Sequence, residues 1–479
     1  MRASAFRSLV CLAALSAACG DVASRPGPVG SLGSSGAAPG GPPSPAGSAA
    51  SAEPPSPRHA IATEPARLAP VRRDGAIGGL ERPFALKRLF AAFARLDADQ
   101  ADDDVRIVQF GDSHTAADVQ TGAVRRSLQD RFGDGGRGFV AIGRPWSHYV
   151  VPGVRVGMSG EWSPDKAKLG PSPKSDGSYG LSGVGLVTRR AGARAWTDIQ
   201  AKTTRADVAY LEQPGGGSFD VFVDGVRLVR VSTRADRTGS AFRAFDVAEA
   251  SPHQLEVRSV GDGEVRIFGA TLDRTQNGVV VDALGINGAR ISQPLAWNEE
   301  HWSEQLRHRA PSLVVLAYGT NESVDESMPQ ATYERQLVDL LGRIARAVPT
   351  ASCLLLGPPD RAIPSKDGKD AGWVTAPKIL EIVASQRRVA EAAGCGFYDQ
   401  LAAMGGEGSI AAWAAEDPPR AQRDRVHLTK EGYQELGSGF ASDLLRAYAQ
   451  WRKDSGLPPA SGPTSLRAPA SPRSSPSAP

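Results

Sequence analysis

The chain has 479 residues, a formal net charge of +3 and 22% charged residues. That near-neutral mixture gives no electrostatic footprint for nucleic acid, so partners have to be argued from sites. The length suits two folded domains.

The N-terminal stretch MRASAFRSLVCLAALSAACGDVAS has Arg2 and Arg7, then a short apolar run, then small residues. Such a run is too brief to span a bilayer stably and has the order of an export signal, assigned to residues 1–19. Ser16-Ala17-Ala18-Cys19-Gly20 resembles a bacterial lipoprotein cleavage box, with Leu15 one place further back than that pattern prefers. Lipidation of Cys19 and simple secretion or periplasmic release therefore both stand. The expected location is the periplasm or the outer membrane, and any membrane contact would run through that anchor. Residues 20–75 are dominated by Pro, Gly, Ser and Ala, with too few large apolar side chains to offset the entropy of ordering, and they read as a tether. Residues 454–479 have the same character.

Between these ends, apolar runs at 105–110, 279–284, 313–318, 352–357 and 395–399 predict strands buried on both faces. Helical patterns at 84–96, 117–132, 295–309, 333–348, 377–393 and 431–452 alternate with them, as in a parallel sheet covered by helices. Residues 150–272 carry no long helical pattern. There FDVFVDGVRLVRVST alternates apolar and polar residues around Asp224-Gly225, a dipeptide that favours a type I′ hairpin turn. HQLEVRSV and GEVRIFGATL read as further short strands, so an antiparallel β-sandwich is expected at 150–272, inserted into an α/β domain at 76–149 and 273–453. Cys353 and Cys395 fall in the folded part, either paired or buried as thiols.

FGDSHTAAD places Ser113 between Asp112 and His114, directly after the first strand and before a helix expected near Ala116. Its side chain would stand at the carboxyl end of a sheet strand, where open α/β folds build their sites, with N–H groups of the next helix facing the same space. A serine of ordinary pKa needs a base. Of the seven histidines, His59, His114, His148, His253, His301, His308 and His427, His59 lies in the tether, His253 in the expected sandwich, and His301 and His308 on a charged helix. His114 adjoins Ser113, and consecutive side chains at such a turn diverge. His427, in RDRVHLTKEGYQELG, follows Asp424 by three residues, a spacing that lets a carboxylate hold the imidazole in one tautomer. The alternative is a capped turn beside a surface histidine.

VDALGINGARIS offers Gly285 and Gly288 after the second strand, where a missing side chain brings a backbone N–H close to a ligand. VVLAYGTNES places Gly319, Thr320 and Asn321 after the third, and an asparagine amide is a neutral donor for a developing oxyanion. FGDSHT, GINGA, YGTNE and DRVH, in this order, resemble the four blocks of the SGNH/GDSL hydrolase family. The resemblance implies an α/β, flavodoxin-like three-layer domain with a parallel sheet of about five strands. It implies Ser113, Asp424 and His427 as catalytic residues and the Ser113 N–H, Gly288 N–H and Asn321 amide as the oxyanion hole. Asp112, His114, Gly319 and Thr320 take supporting places.

GDSH in place of GDSL, and Glu322 where that family usually has Asp, look like the branch of bacterial peptidoglycan O-acetylesterases, in which a β-sandwich resembling a carbohydrate-binding module is also inserted after the serine block. The resemblance implies a cell-envelope esterase acting on O-acetyl groups of peptidoglycan or another polysaccharide, with no cofactor or metal and no nucleic acid. Three other readings remain. One is a polysaccharide O-acetyltransferase with the same acyl-serine. Another is a non-catalytic glycan-binding lipoprotein. The third is a metal-dependent phosphoesterase using Asp112, His114 and Asp118. Trp146, Trp162, Tyr179 and Trp196 are candidates to stack on sugar rings, although aromatic residues more often fill the core.

Overall fold

The computed structural model describes residues 76–458, apart from 148, 168–175, 200–201, 249–252 and 366–371. The expected export signal with Cys19, the tether with His59, His148, and the tail beyond Pro458 lie outside the described residues. No helix among the described residues is long and apolar enough to cross a membrane.

The five expected strands form one parallel array, in the order Val279–Gly285, Val105–Gly111, Leu313–Ala317, Ser352–Leu356, Gly396–Tyr398. A short strand that the sequence reading did not anticipate, Leu80–Glu81, adds an antiparallel edge beside Gly396–Tyr398. The parallel order is that of a flavodoxin-like sheet, whose switch point lies beside the strand that begins the array in sequence. Alternation of side chains makes three layers. Val105, Ile107, Leu313 and Val315 pack against helices Lys87–Asp97, Gln120–Phe132 and Lys430–Asp454. Val108, Phe110, Val314 and Leu316 face the helices Glu299–Arg309, Gln330–Ala347 and Pro377–Ala393.

Helix bounds lie close to expectation except around the serine. A four-residue helix starts at Ser113 itself, and the long helix waits until Gln120, because Asp118 turns left-handed (φ 48°) and breaks the run. Cys353 and Cys395 are joined as a disulfide across neighbouring strands, with 4.9 Å between their Cα atoms.

The intervening residues form two antiparallel sheets. One runs Val226–Ser232, Ser218–Val223, His253–Ser259, Arg194–Ile199, Val154–Ser159. The other runs Gly239–Asp246, Arg205–Glu212, Val265–Asp273, Val184–Thr188, Ser163–Lys166. Side chains of both sheets meet in one apolar cluster that includes Phe219, Val221 and Val257 from the first and Val208, Ile267 and Leu272 from the second. The Asp224-Gly225 turn has positive φ at both positions (50° and 80°), as the dipeptide predicts. Gly136–Val140, which precedes the stretch where the sequence pattern changes, also pairs with Val265–Asp273.

Arg309 fastens these sheets to the parallel one: its buried guanidinium binds Asp282 on Val279–Gly285 and Asp273 at the end of Val265–Asp273, while Asp282 also accepts the Phe139 N–H (2.7 Å). Two carboxylates around one buried cation satisfy a charge that would be costly alone.

The strand ends are level: Gly111 is in register with both Gly285 and Ala317. A Cβ on Gly285 would lie 2.1 Å from the Ala116 nitrogen and 2.6 Å from the Asp112 carbonyl oxygen, so only glycine lets this strand end touch the serine turn. Gly285→Ala should therefore destabilise the protein by ~1–3 kcal/mol through overpacking against backbone. Urea denaturation checks this, and an unchanged midpoint would mean that the turn can shift without cost.

Candidate active site

Ser113 leaves the sheet through a turn fixed by its neighbours. Asp112 caps the short helix by accepting the His114 N–H (3.0 Å), and the Ile286 N–H donates to the Gly111 carbonyl (3.0 Å). The Ser113 hydroxyl then meets His427 Nε2 at 3.0 Å, across 314 residues of sequence. On the other side of the ring, His427 Nδ1 lies 2.7 Å from Asp424 Oδ2. Ser113, His427 and Asp424 thus form one continuous hydrogen-bonded chain, as the DxxH spacing predicts.

The histidine loop is held locally. Asp424 Oδ1 accepts the N–H groups of Val426 and His427, both at 3.0 Å, and the Gln422 N–H donates to the His427 carbonyl (2.8 Å). Arg425 adopts φ 54° to close the turn, and Thr429 caps the last helix immediately after it. Burial works against ionisation of Asp424, but the imidazole and the two backbone N–H groups hold its carboxyl down at about 2. The bond to Asp424 raises the pKa of His427 in turn. A carboxylate that stays charged fixes the N–H on Nδ1 and leaves Nε2 to take a proton from Ser113.

His114 points elsewhere. It is buried and hydrogen-bonded through Nδ1 to the Tyr433 hydroxyl (2.9 Å), and burial pulls its pKa down to about 3. Its ring lies 5.4 Å from that of His427, centroid to centroid, as a neutral neighbour of the base. Burial pushes Asp112 up to about 6, with Thr320 beside it.

Two further blocks converge on the same edge. Gly288 is exposed with φ 76°, and nothing lies within 4 Å of where a Cβ would stand, so glycine serves the backbone conformation there and not packing. The Asn321 amide donates to the Ala289 carbonyl (3.0 Å), which ties the third block to the residue after Gly288 and leaves a second amide hydrogen for a ligand. Gly319 has φ 131° and sits against Ile382 and Pro358.

A residue the sequence reading noted only as a departure proves structural to the site. Glu322 is fully buried and accepts the Ile291 N–H (2.5 Å) through one oxygen and the Gly319 N–H (3.0 Å) through the other, so it clamps the Gly288 block to the Asn321 block. Burial raises its pKa to about 7. The extra methylene relative to Asp is the signal that pointed to it. Tyr433, the partner of His114, was also missed, and its place one turn into the last helix was the available clue.

The remaining candidates disperse. The Asp118 carboxylate is bound by Arg125 and Arg137, which with Thr121 hold it down at about 2 despite burial. It does not converge with Asp112 and His114 on a common point, and no three His, Cys, Asp or Glu side chains among the described residues are grouped to hold a metal. His301 accepts the Gly180 N–H and bonds Ser240, His308 bonds Asp207, and His253 bonds Asp224. Of the four aromatics considered for sugar stacking, Trp162 and Tyr179 are core residues and Trp146 packs against the core. Trp196 is half-buried over Gly157.

A 2-1-3-4-5 sheet with these four blocks at its carboxyl edge defines a class, an acylhydrolase fold of the SGNH/GDSL type. The family model for GDSL-like lipases and acylhydrolases matches residues 250–435, which hold the Gly288, Asn321 and His427 blocks. Among solved structures, a peptidoglycan O-acetylesterase is similar at 25% identity and a TM-score of 0.62, over 77% of this chain and 96% of its own. A lipase/acylhydrolase from Enterococcus faecalis aligns at 20% identity and a TM-score of 0.26, over 35% of this chain and 76% of its own. A family two carbohydrate esterase from Cellvibrio japonicus aligns at 11% identity and a TM-score of 0.24, over 62% and 98%. These two superpose too loosely to bear on function. No curated protein matches the sequence. The resemblance to SGNH/GDSL hydrolases, and within them to peptidoglycan O-acetylesterases, is borne out.

The clamp can be tested without any substrate. In Glu322→Gln an amide N–H would face a backbone N–H, leaving a buried donor unpaired and lowering stability by ~1–3 kcal/mol. Chemical denaturation measures the loss, and a variant as stable as the parent would show that the two blocks hold together without the carboxylate.

Proposed function

We propose that this protein is an exported serine esterase that removes O-acetyl groups from a cell-envelope polysaccharide, peptidoglycan or another acetylated glycan, through an acyl-serine intermediate. The single observation that carries the chemistry is the Ser113–His427–Asp424 chain, with contacts of 3.0 and 2.7 Å. His427, oriented by Asp424, takes the Ser113 proton as the oxygen attacks the ester carbonyl. The Ser113 and Gly288 N–H groups and the free Asn321 amide hydrogen stabilise the tetrahedral oxyanion. His427 protonates the departing sugar alkoxide, and water then repeats the sequence on the acyl-enzyme to release acetate. Ser113 and His427 are each only partly buried, which suits an acyl group carried on a polymer.

The polysaccharide part of the reading rests on the likeness to the O-acetylesterase and on the two antiparallel sheets, which we read as a β-sandwich of carbohydrate-binding-module type at about 150–272. The envelope location rests on the export signal at residues 1–19, with Cys19 as the site of a lipid anchor. A glycan-binding protein without catalysis would have no use for a serine, a base and an acid in hydrogen-bond contact.

The purified chain should release acetate from O-acetylated glycans and from an aryl acetate, and Ser113→Ala should abolish turnover on both. Release at the parental rate by Ser113→Ala would sink the assignment. Asn321→Ala should lower kcat by ~100- to 1000-fold, the usual cost of one oxyanion donor. His427→Ala should be far more damaging than His114→Phe.

The pH profile gives a further check. Asp424 raises the pKa of His427, and catalysis needs that ring neutral, so activity should rise with pH through the elevated value. Asp424→Asn removes the raising interaction and should move the acidic limb of kcat/KM to lower pH while reducing its plateau. An unmoved limb would mean that another group titrates.

A further inference from the structure

Arg361 occupies a position between the two halves of the site. It precedes a short hairpin, Ala362–Pro364 paired with Trp373–Thr375. Its backbone is fixed at the base of that hairpin: its carbonyl accepts the Ala376 N–H (2.7 Å), and the next N–H, of Ala362, donates to the Arg425 carbonyl (3.1 Å), two residues before His427. Its side chain runs the other way, and Nη1 reaches the Ser323 carbonyl (3.4 Å), two residues after Asn321. Arg361 thus stands between the loop of the base, which the backbone of its neighbour Ala362 binds, and the turn of the oxyanion donor, which its guanidinium reaches.

This cation is half-buried, yet it makes no ion pair among the described residues. Burial lowers its pKa, and the acid it feels, Glu326, acts from beyond ion-pair distance. Several other arginines of the α/β layer are matched: Arg387 binds Glu81 and Asp399, Arg452 binds Asp97, and Arg290 binds Asp325. A guanidinium has five donors in a planar fork, and one long bond to a carbonyl leaves most of them unused. Desolvating a charge without a counter-charge is costly unless an anion arrives, and the fork matches a carboxylate. On the same hairpin, where it pairs with Pro364, Trp373 is 39% exposed, with the Arg425 guanidinium 4.0 Å from its ring centroid, so an apolar plane flanked by a second cation that makes no ion pair among the described residues belongs to this hairpin.

We propose that Arg361 is the receptor for a carboxylate carried by the acetylated saccharide, with Trp373 covering the sugar next to it, so that the enzyme selects acidic glycans over neutral ones. This rests on the carbohydrate-esterase reading. It assigns Arg361 a role in specificity, distinct from the chemistry at Ser113.

The test uses the full chain and matched O-acetylated oligosaccharides whose sugar carboxylate is either free or converted to its primary amide. Acetate release should favour the free acid by on the order of tenfold in kcat/KM, expressed mainly in KM, the scale of one charge-assisted contact. In Arg361→Gln that acid-to-amide ratio should fall to about one, and in Arg361→Lys, which keeps the charge without the fork, it should lie between. A parental ratio near one, or a ratio retained in Arg361→Gln, overturns the proposal. If Arg361→Gln does not fold, the intermediate ratio in Arg361→Lys decides. If the parent releases acetate from neither glycan, the esterase reading fails first. Binding of the free-acid and amide oligosaccharides to Ser113→Ala then judges Arg361 separately: tighter binding of the acid supports it and equal affinity overturns it.

Discussion

The site depends on three parallel strands ending at one level. Because Gly111 is in register with Gly285 and Ala317, the chain leaves the sheet three times within the same small area, once into the serine turn, once toward Gly288 and once toward Asn321. Glycines at the first two strand ends make that convergence tight. A Cβ on Gly111 would strike Thr115 Oγ1 at 2.2 Å and the Ala317 carbonyl at 2.8 Å, and one on Gly285 would strike the serine turn itself. Side chains there would push the exits apart, and the donors of an oxyanion hole must sit within a hydrogen bond of a single atom. Register, set by buried apolar strands, therefore brings the three turns together with little help from the loops.

The histidine enters by a different principle. No strand carries His427; its loop is fastened by contacts within a few residues, with Asp424 binding both the ring and the backbone N–H of the residue it orients. Ser113 is placed by long-range packing and His427 by a short-range clamp. What joins them is the last helix, which starts just after the loop and packs on Gln120–Phe132, where Gly437 permits a Cβ-free approach to the Gln120 carbonyl. The same helix supplies Tyr433, which holds His114 turned away from Ser113. The two histidines near the serine are thus kept apart by one element, His427 in contact with Ser113 and His114 with Tyr433.

Much of this was legible in the sequence, and the reason is periodicity. The five parallel strands are continuous apolar runs, the six helices carry helical patterning, and the Asp224-Gly225 turn is dictated by the need for two positive φ angles. The DxxH spacing made the Asp424–His427 contact legible because a carboxylate three residues back can reach the imidazole. Less legible were features that depend on which charged groups meet in the interior. Asp118 looked like a metal ligand in isolation, yet Arg125 and Arg137 claim it, and nothing in local sequence foretells those partners. Arg309 with Asp273 and Asp282, and the two-residue edge strand Leu80–Glu81, are hidden for the same reason: each is defined by partners distant in sequence. Composition could not rank the aromatics either, since Trp162 and Tyr179 are as apolar in a core as on a sugar.

Glu322 shows why a departure from a familiar pattern is worth following into three dimensions. An aspartate at that position would have to satisfy the Ile291 and Gly319 N–H groups with one methylene less of reach. The longer side chain lets one carboxylate hold the backbone three residues after Gly288 and two before Asn321. Its burial raises its pKa to about 7, while the Ile291 N–H that it accepts and its own backbone N–H favour the charged form. The balance gives a clamp whose strength depends on the same backbone geometry that it enforces. Loosening either block would expose the carboxylate to water and weaken its hold on the other, so the backbone near Gly288 and the backbone near Asn321 are held through one shared group.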